Sequence, residues 1–144
     1  MTEKTKILMI DDDVNLVNIF KTVFEVKGFI FEIAHSASEG LQKIKDVNPD
    51  LIILDVIMED FVAGFRIVSK LRTGEAGSEF HQYSKIPILM LTSVTSKTTI
   101  TFNEKVGTSL LPVDAFMEKP VKPGELLDKV YEILNKKSDK NNDE

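Results

Sequence analysis

Cysteine is absent from the 144 residues, which excludes a disulfide framework and any thiolate metal site. Histidine is nearly absent too: only His35 and His81 could offer imidazole, too few for a zinc centre. No apolar run approaches the roughly 18–20 residues needed to span a bilayer. The opening Met-Thr-Glu-Lys-Thr-Lys lacks the apolar core of a signal peptide. A cytoplasmic protein with no membrane partner is expected. Positive charge is also in short supply. The formal net charge of −5 argues against direct contact with nucleic acid, which needs a basic face. One lysine-rich stretch, Lys136 to Lys140, is offset by Asp139, Asp143 and Glu144, so residues 137–144 read as a solvated, disordered charged tail. Residues 1–136 are of a size for one domain.

Within that domain, strand-like and helix-like patterns alternate, the signature of βαβ units and a parallel sheet. Apolar runs Ile7–Ile10, Leu51–Leu54, Ile88–Leu91 and Ala115–Met117 read as strands, with another at Ile30–Ala34. Leu51–Leu54 is apolar at every position, which predicts burial on both faces and a central place in the sheet. From Val14 to Lys27, Leu16, Val17, Phe20, Val23 and Phe24 share one helical face, with Asp12 or Asp13 as N-cap and Gly28 as terminator. Ser36-Ala37-Ser38-Glu39 has the spacing of a capping box and opens a helix that Asn48-Pro49 ends. Further helices are expected over Gly64–Thr73, with Phe65, Val68 and Leu71 inward, and from Pro123, with Leu126, Leu127, Val130, Tyr131 and Leu134 inward. Residues 94–111 break the pattern. Topology calls for a crossover helix there, but Thr95, Thr98, Thr99, Ile100 and Thr101 are β-branched, so it is expected to be short, displaced or mobile.

Four of these runs lead into groups that can handle a phosphoryl group: Asp11-Asp12-Asp13, Asp55, Thr92-Ser93 and, after Ala115–Glu118, Lys119-Pro120. In a parallel α/β sheet, strand C-termini share one edge, where ligands bind. Adjacent carboxylates repel one another and are stabilised by a cation. Mg²⁺ takes oxygen ligands, keeps several waters and is held by one or two carboxylates plus phosphate oxygens. Asp12 and Asp55 are the expected direct ligands, with Asp11 acting through water. A carboxylate in such a site can attack phosphorus to give an acyl phosphate. Lys119, Thr92 and a backbone N–H near Ser93 would then neutralise the equatorial oxygens.

The ordered series Ile7–Asp13, Asp50–Met58, Leu91-Thr92-Ser93 and Lys119-Pro120 resembles the receiver domain of two-component response regulators, over roughly residues 5–135. The resemblance implies a flavodoxin-like, doubly wound, five-stranded parallel sheet of order 2-1-3-4-5 in a three-layer α/β/α sandwich. It implies phosphorylation of Asp55, with Mg²⁺, by the phosphohistidine of a sensor histidine kinase or a histidine phosphotransfer protein. Asp11 and Asp12 match the family's metal-binding acids, Asp55 and the carbonyl of Ile57 its other ligands. Thr92 matches the switch hydroxyl, Lys119 the phosphate-binding lysine and Phe116 the switch aromatic. A cis Lys119–Pro120 bond is also implied. The domain is then a phosphoacceptor rather than an enzyme, signalling by protein contact to a downstream target as a monomer or weak dimer.

Some features depart from that pattern. Glu59-Asp60 stands where a proline four residues after the acceptor is usual, and Gly64 comes one residue later than usual. The interval from Thr92 to Lys119 is longer than in compact receivers, which points to a remodelled output surface. Glu59 and Asp60 read as solvated loop residues, and His35 and His81 as structural or surface residues. Ile57 and Val94, two beyond the acceptor and the threonine, are apolar and cannot orient a hydrolytic water, so slow self-dephosphorylation is expected. Two other readings compete. Asp11-Asp12-Asp13 satisfies the Asp-x-Asp spacing of a haloacid-dehalogenase-type phosphohydrolase, which makes Asp11 the nucleophile but leaves Asp55 without a role. A degenerate receiver would bind partners without phosphorylation, and the complete set of acids, Thr92 and Lys119 argues against it.

Overall fold

The computed structural model describes residues 4–55, 63–72, 78–92 and 113–142. Five strands, β1 (Lys6–Ile10), β2 (Ile30–Ala34), β3 (Leu51–Asp55), β4 (Ile88–Thr92) and β5 (Ala115–Glu118), pair in parallel in the order β2-β1-β3-β4-β5. Helices α1 (Val14–Val26), α2 (Ala37–Val47) and α3 (Ala63–Arg72) and a C-terminal helix (Pro123–Asn142) flank the sheet. This is the flavodoxin-like arrangement the sequence led us to expect.

Alternation along the strands builds a core on each face. Leu8, Ile10, Ile52, Leu54, Ile88 and Met90 face Ile44 of α2 and Ile67, Val68 and Leu71 of α3. Their strand neighbours Ile7, Met9, Leu51, Ile53, Leu89 and Leu91 face Val17, Phe20 and Phe24 of α1 and Leu126, Val130 and Ile133 of the C-terminal helix. All five residues of β3 are buried, as are all five of β4, because both strands are covered on each side. Tyr131, expected inward, is instead exposed and lies against Phe29 with ring centroids 5.6 Å apart; Ile133 takes the inward place.

Helix ends follow local chemistry. Asp13, not Asp12, caps α1 by accepting from the Leu16 N–H at 3.1 Å. Gly28 ends α1 with φ at +93°, a left-handed conformation that costs glycine little. Ser36 caps α2 by accepting from the Glu39 N–H at 3.1 Å. The reciprocal half of the box is displaced: the Glu39 carboxylate accepts from the N–H of His35, at 3.3 Å, one residue before the cap. Close to the site, α2 crosses β1 tightly, and a Cβ on Gly40 would stand 2.7 Å from Ile10 Cδ1.

The C-terminal helix continues to Asn142, past the boundary after residue 136 expected for a disordered tail. No glycine or proline interrupts the chain beyond Gly124. At the opposite end of the sheet from the strand C-termini, Asp114 accepts from the Ile88 N–H at 2.8 Å and from Arg72 at 3.3 Å. Arg72 also donates to the Ser84 carbonyl at 2.6 Å, tying α3 to the start of β4. Residues 94–111, and the helix expected there, lie outside the described residues.

Candidate functional site

Strand register decides which functional groups meet. Ile10 pairs with Leu54, so Asp11 and Asp12 emerge beside Asp55 at the end of β3. Asp55 pairs with Leu91, and Thr92 pairs with Glu118, which brings Thr92 and Lys119 to the same edge. One carboxylate oxygen each from Asp11, Asp12 and Asp55 lie within 4.8 Å of one another. Asp11, Asp55 and Thr92 are the buried polar side chains among the described residues, whereas Asp12 is exposed at the mouth of the cluster.

Lys119 reaches into this cluster from the residue after β5. Its Nζ stands 2.8 Å from Asp11 Oδ2 and 3.4 Å from Asp55 Oδ2. Burial alone lowers its pKa, but the hydrogen bond and charge of Asp11, then those of Asp55, overcome that and hold the ammonium above its ordinary value. The Lys119 N–H donates to the Thr92 carbonyl at 2.6 Å, and the Lys119–Pro120 peptide is cis, as the resemblance implied.

The acidic turn 11–13 is held through Asp11 and Asp13. The Asp11 N–H donates to the Ala34 carbonyl at 3.0 Å, extending the β1–β2 ladder by one bond. Asp11 Oδ1 accepts from the Asp13 N–H at 2.9 Å, while Oδ2 takes Lys119. Both Asp11 oxygens are therefore engaged from within. Asp12 has no hydrogen bond or ion pair with any described residue, which leaves its carboxylate open to a ligand from solvent. The donor set is all oxygen, and two of its three carboxylates are buried. Such a set suits a hard divalent ion such as Mg²⁺ better than a soft one.

Beside Lys119, a cavity of about 390 Å³ is lined by Asp13, Leu16, Phe20, Leu91, Pro120 and Val121. It adjoins the acidic cluster but includes neither Asp12 nor Asp55. Phe116, on edge strand β5, is half-buried and packs against the core on the α2 and α3 side. Ile57, Glu59, Asp60, Ser93 and Val94 lie outside the described residues. His35, expected to be a structural or surface residue, is exposed and also a neighbour of the site: its Nδ1 is 3.3 Å from the Asp11 carbonyl oxygen. Nothing in the residue pattern around position 35 signalled that contact, because it arises from β1–β2 pairing.

Residues 7–131 match the family model of the response regulator receiver domain. The chain belongs to that family. Among curated relatives, this receiver is 28% identical over 138 residues to the transcriptional regulatory protein CpxR homolog of Haemophilus influenzae, covering 96% of the chain and 54% of the relative. It is also 28% identical to the DNA-binding response regulator MtrA of Mycolicibacterium smegmatis, with the same coverage of 96% and 54%. The chain thus spans about half the length of these relatives. Solved structures agree in fold. A CheY-like receiver domain protein from Methanospirillum hungatei superposes with a TM-score of 0.73 at 29% identity, covering 96% of this receiver and 99% of the other. The chemotaxis response regulator CheY4 of Vibrio cholerae gives 0.72 at 28%, covering 91% and 99%.

Proposed function

We propose that this receiver takes a phosphoryl group onto the Asp55 carboxylate from the phosphohistidine of a sensor histidine kinase or a histidine phosphotransfer protein. An Asp55 oxygen attacks phosphorus, the N–P bond breaks, and the leaving imidazole keeps the electron pair and gains a proton. The observation that carries this reading is the seat of Lys119 Nζ, within 3.4 Å of Asp55 Oδ2 and 2.8 Å of Asp11 Oδ2. An ammonium there can shift onto an oxygen of a group attached to Asp55 without leaving the site.

Asp12 and Asp55 would hold Mg²⁺ directly and Asp11 through water, with the Ile57 carbonyl as the further ligand that family resemblance suggests. Bound there, the ion neutralises charge on the transferring oxygens. The engagement of both Asp11 oxygens supports its indirect place. Thr92, buried at the end of β4, supplies a hydroxyl to the new phosphoryl group, and Phe116 responds as the switch aromatic. The domain acts as a phosphoacceptor, not a turnover enzyme, and such a donor implies a cytoplasmic location. Output is through protein contact, in keeping with a net charge of −5 that disfavours direct nucleic-acid binding.

The test is incubation with Mg²⁺ and a small-molecule phosphodonor, followed by borohydride trapping and peptide mass spectrometry. The expected adduct maps to Asp55 and vanishes in Asp55→Asn. An adduct on Asp11 would instead favour the phosphohydrolase reading. Failure to incorporate either phosphate or Mg²⁺-dependent beryllofluoride would favour the phosphorylation-independent binding module.

A further inference from the structure

We infer that His35 is a positioning residue for the cation-binding acidic turn, holding the Asp11–Asp12 peptide so that the Asp12 carboxylate faces the Asp55 carboxylate. The inference rests on the reading of that cluster as a Mg²⁺ site. A backbone carbonyl can only accept, so the 3.3 Å contact between His35 Nδ1 and the Asp11 carbonyl oxygen assigns the ring proton to Nδ1. The Asp11 carbonyl belongs to the peptide whose nitrogen is that of Asp12. Fixing that peptide plane therefore constrains where the Asp12 Cβ points.

The rest of the turn explains why this bond matters. Asp11 N–H is tied to Ala34, Asp11 Oδ1 to the Asp13 N–H, and Asp13 Oδ1 to the Leu16 N–H. The Asp12 side chain has no such tether among the described residues, so its direction depends on the backbone that carries it. Both bonds to the Asp11 main chain come from the end of β2: Ala34 holds its N–H and His35 its carbonyl. His35 is itself fixed. Its N–H donates to Glu39 Oε2 at 3.3 Å, and the following residue, Ser36, caps α2. Gly40, one turn into that helix, lies against Ile10, the residue before Asp11. The displaced capping box thus anchors the main chain of His35, which carries the imidazole, rather than that of the cap residue.

Because His35 is an exposed residue and the contact is at the long end of N–H···O distances, a graded effect is expected. Titration calorimetry with MgCl₂ on the whole chain should show His35→Ala binding about three- to tenfold more weakly than wild type. His35→Asn, whose side-chain N–H sits at the position of Nδ1, should recover most of that loss. A purely structural role would lower the melting temperature of both variants alike and leave Mg²⁺ affinity unchanged. Nitrogen NMR of the wild-type ring provides a second readout and should show Nδ1 protonated, with the Asp12 amide resonance shifted in His35→Ala. Equal Mg²⁺ affinity in all three proteins, Asn no better than Ala, or a ring proton on Nε2 would overturn the inference while leaving the metal site intact. Absence of Mg²⁺ binding in the wild type, or binding that survives Asp12→Asn with Asp55→Asn, would overturn the underlying reading and this inference with it.

Discussion

Lys119 and Asp11, separated by 108 positions in sequence, meet at 2.8 Å in the cluster of carboxylates at the strand ends. The contact neutralises part of a charge cluster in which Asp11 is fully buried and Asp55 nearly so. It also sets up a competition. A divalent cation held by Asp12 and Asp55 would share the Asp55 carboxylate with the Lys119 ammonium, so each should weaken the hold of the other.

Replacing the ammonium exposes that competition. Lys119→Met should lower unfolding free energy by about 3 kcal/mol in metal-free buffer at neutral pH, because two buried carboxylates lose an ammonium held at 2.8 and 3.4 Å. The same variant should bind Mg²⁺ about tenfold more tightly, since a positive charge has been removed from beside the ion. Millimolar Mg²⁺ should then restore most of the lost stability, more than it adds to the wild type. Chemical denaturation with and without Mg²⁺ reads both effects. Equal Mg²⁺ stabilisation of the two proteins would show that Lys119 and the ion do not share ligands.

The close crossing of α2 over β1 should be intolerant of a single methyl. Gly40→Ala places a Cβ 2.7 Å from Cδ1 and 3.0 Å from Cγ2 of Ile10, a side chain with no freedom to retreat. Overpacking of this kind costs about 1–3 kcal/mol, against about 1 kcal/mol gained from alanine's helix propensity. A net loss of up to about 2 kcal/mol is expected in thermal or denaturant unfolding. Ile10→Val removes the nearest methyl, so the double variant should be more stable than the sum of the single effects predicts. Strict additivity would mean that α2 shifts as a whole instead.

Much of this arrangement could be read from residue order alone, for a physical reason. The central strands β1, β3 and β4 declare themselves because burial on both faces demands apolar runs, and each run stops where a polar group reaches the sheet edge. The capping of α1 by Asp13 and of α2 by Ser36 is local chemistry, and so it was legible within a residue. What depended on register or on long contacts was not. The reach of His35 to Asp11 follows from how β1 lies against β2. The exposure of Tyr131 likewise reflects the rotation of the C-terminal helix against α1, which the apolar spacing Leu127, Tyr131, Leu134 does not settle. Extension of that helix to Asn142 has no apolar signal at all, since its last turns are polar.

The lifetime of the phosphorylated state should be long. Hydrolysis needs a water aligned with the scissile bond, and Ile57 and Val94, two residues beyond Asp55 and Thr92, offer no hydrogen bond to orient one. Decay of the trapped phosphoprotein should accelerate about tenfold or more in Ile57→Asn or Val94→Glu, each of which adds a group able to hold that water. Phosphate release measured after removal of the phosphodonor provides the rates. Fast decay in the wild type that neither substitution changes would place the water elsewhere.

Communication away from Asp55 is expected to run from Thr92 to Phe116. Met90 pairs with Phe116 and Thr92 with Glu118, so Thr92 and Phe116 are diagonal neighbours on adjacent strands. Alternation along β4 puts Thr92 on the same face as Met90, the face against which Phe116 packs. A hydroxyl drawn toward a phosphoryl group on Asp55 changes the space beside the half-buried ring, which has room to respond because β5 is an edge strand. Beryllofluoride with Mg²⁺ should therefore shift the aromatic resonances of Phe116 in the wild type and in Thr92→Ser. In Thr92→Ala the same addition should still perturb the Asp12 and Asp55 amides while the Phe116 ring signals stay where they were. If the ring signals move equally in Thr92→Ala, the aromatic senses the acceptor by a route that bypasses the hydroxyl.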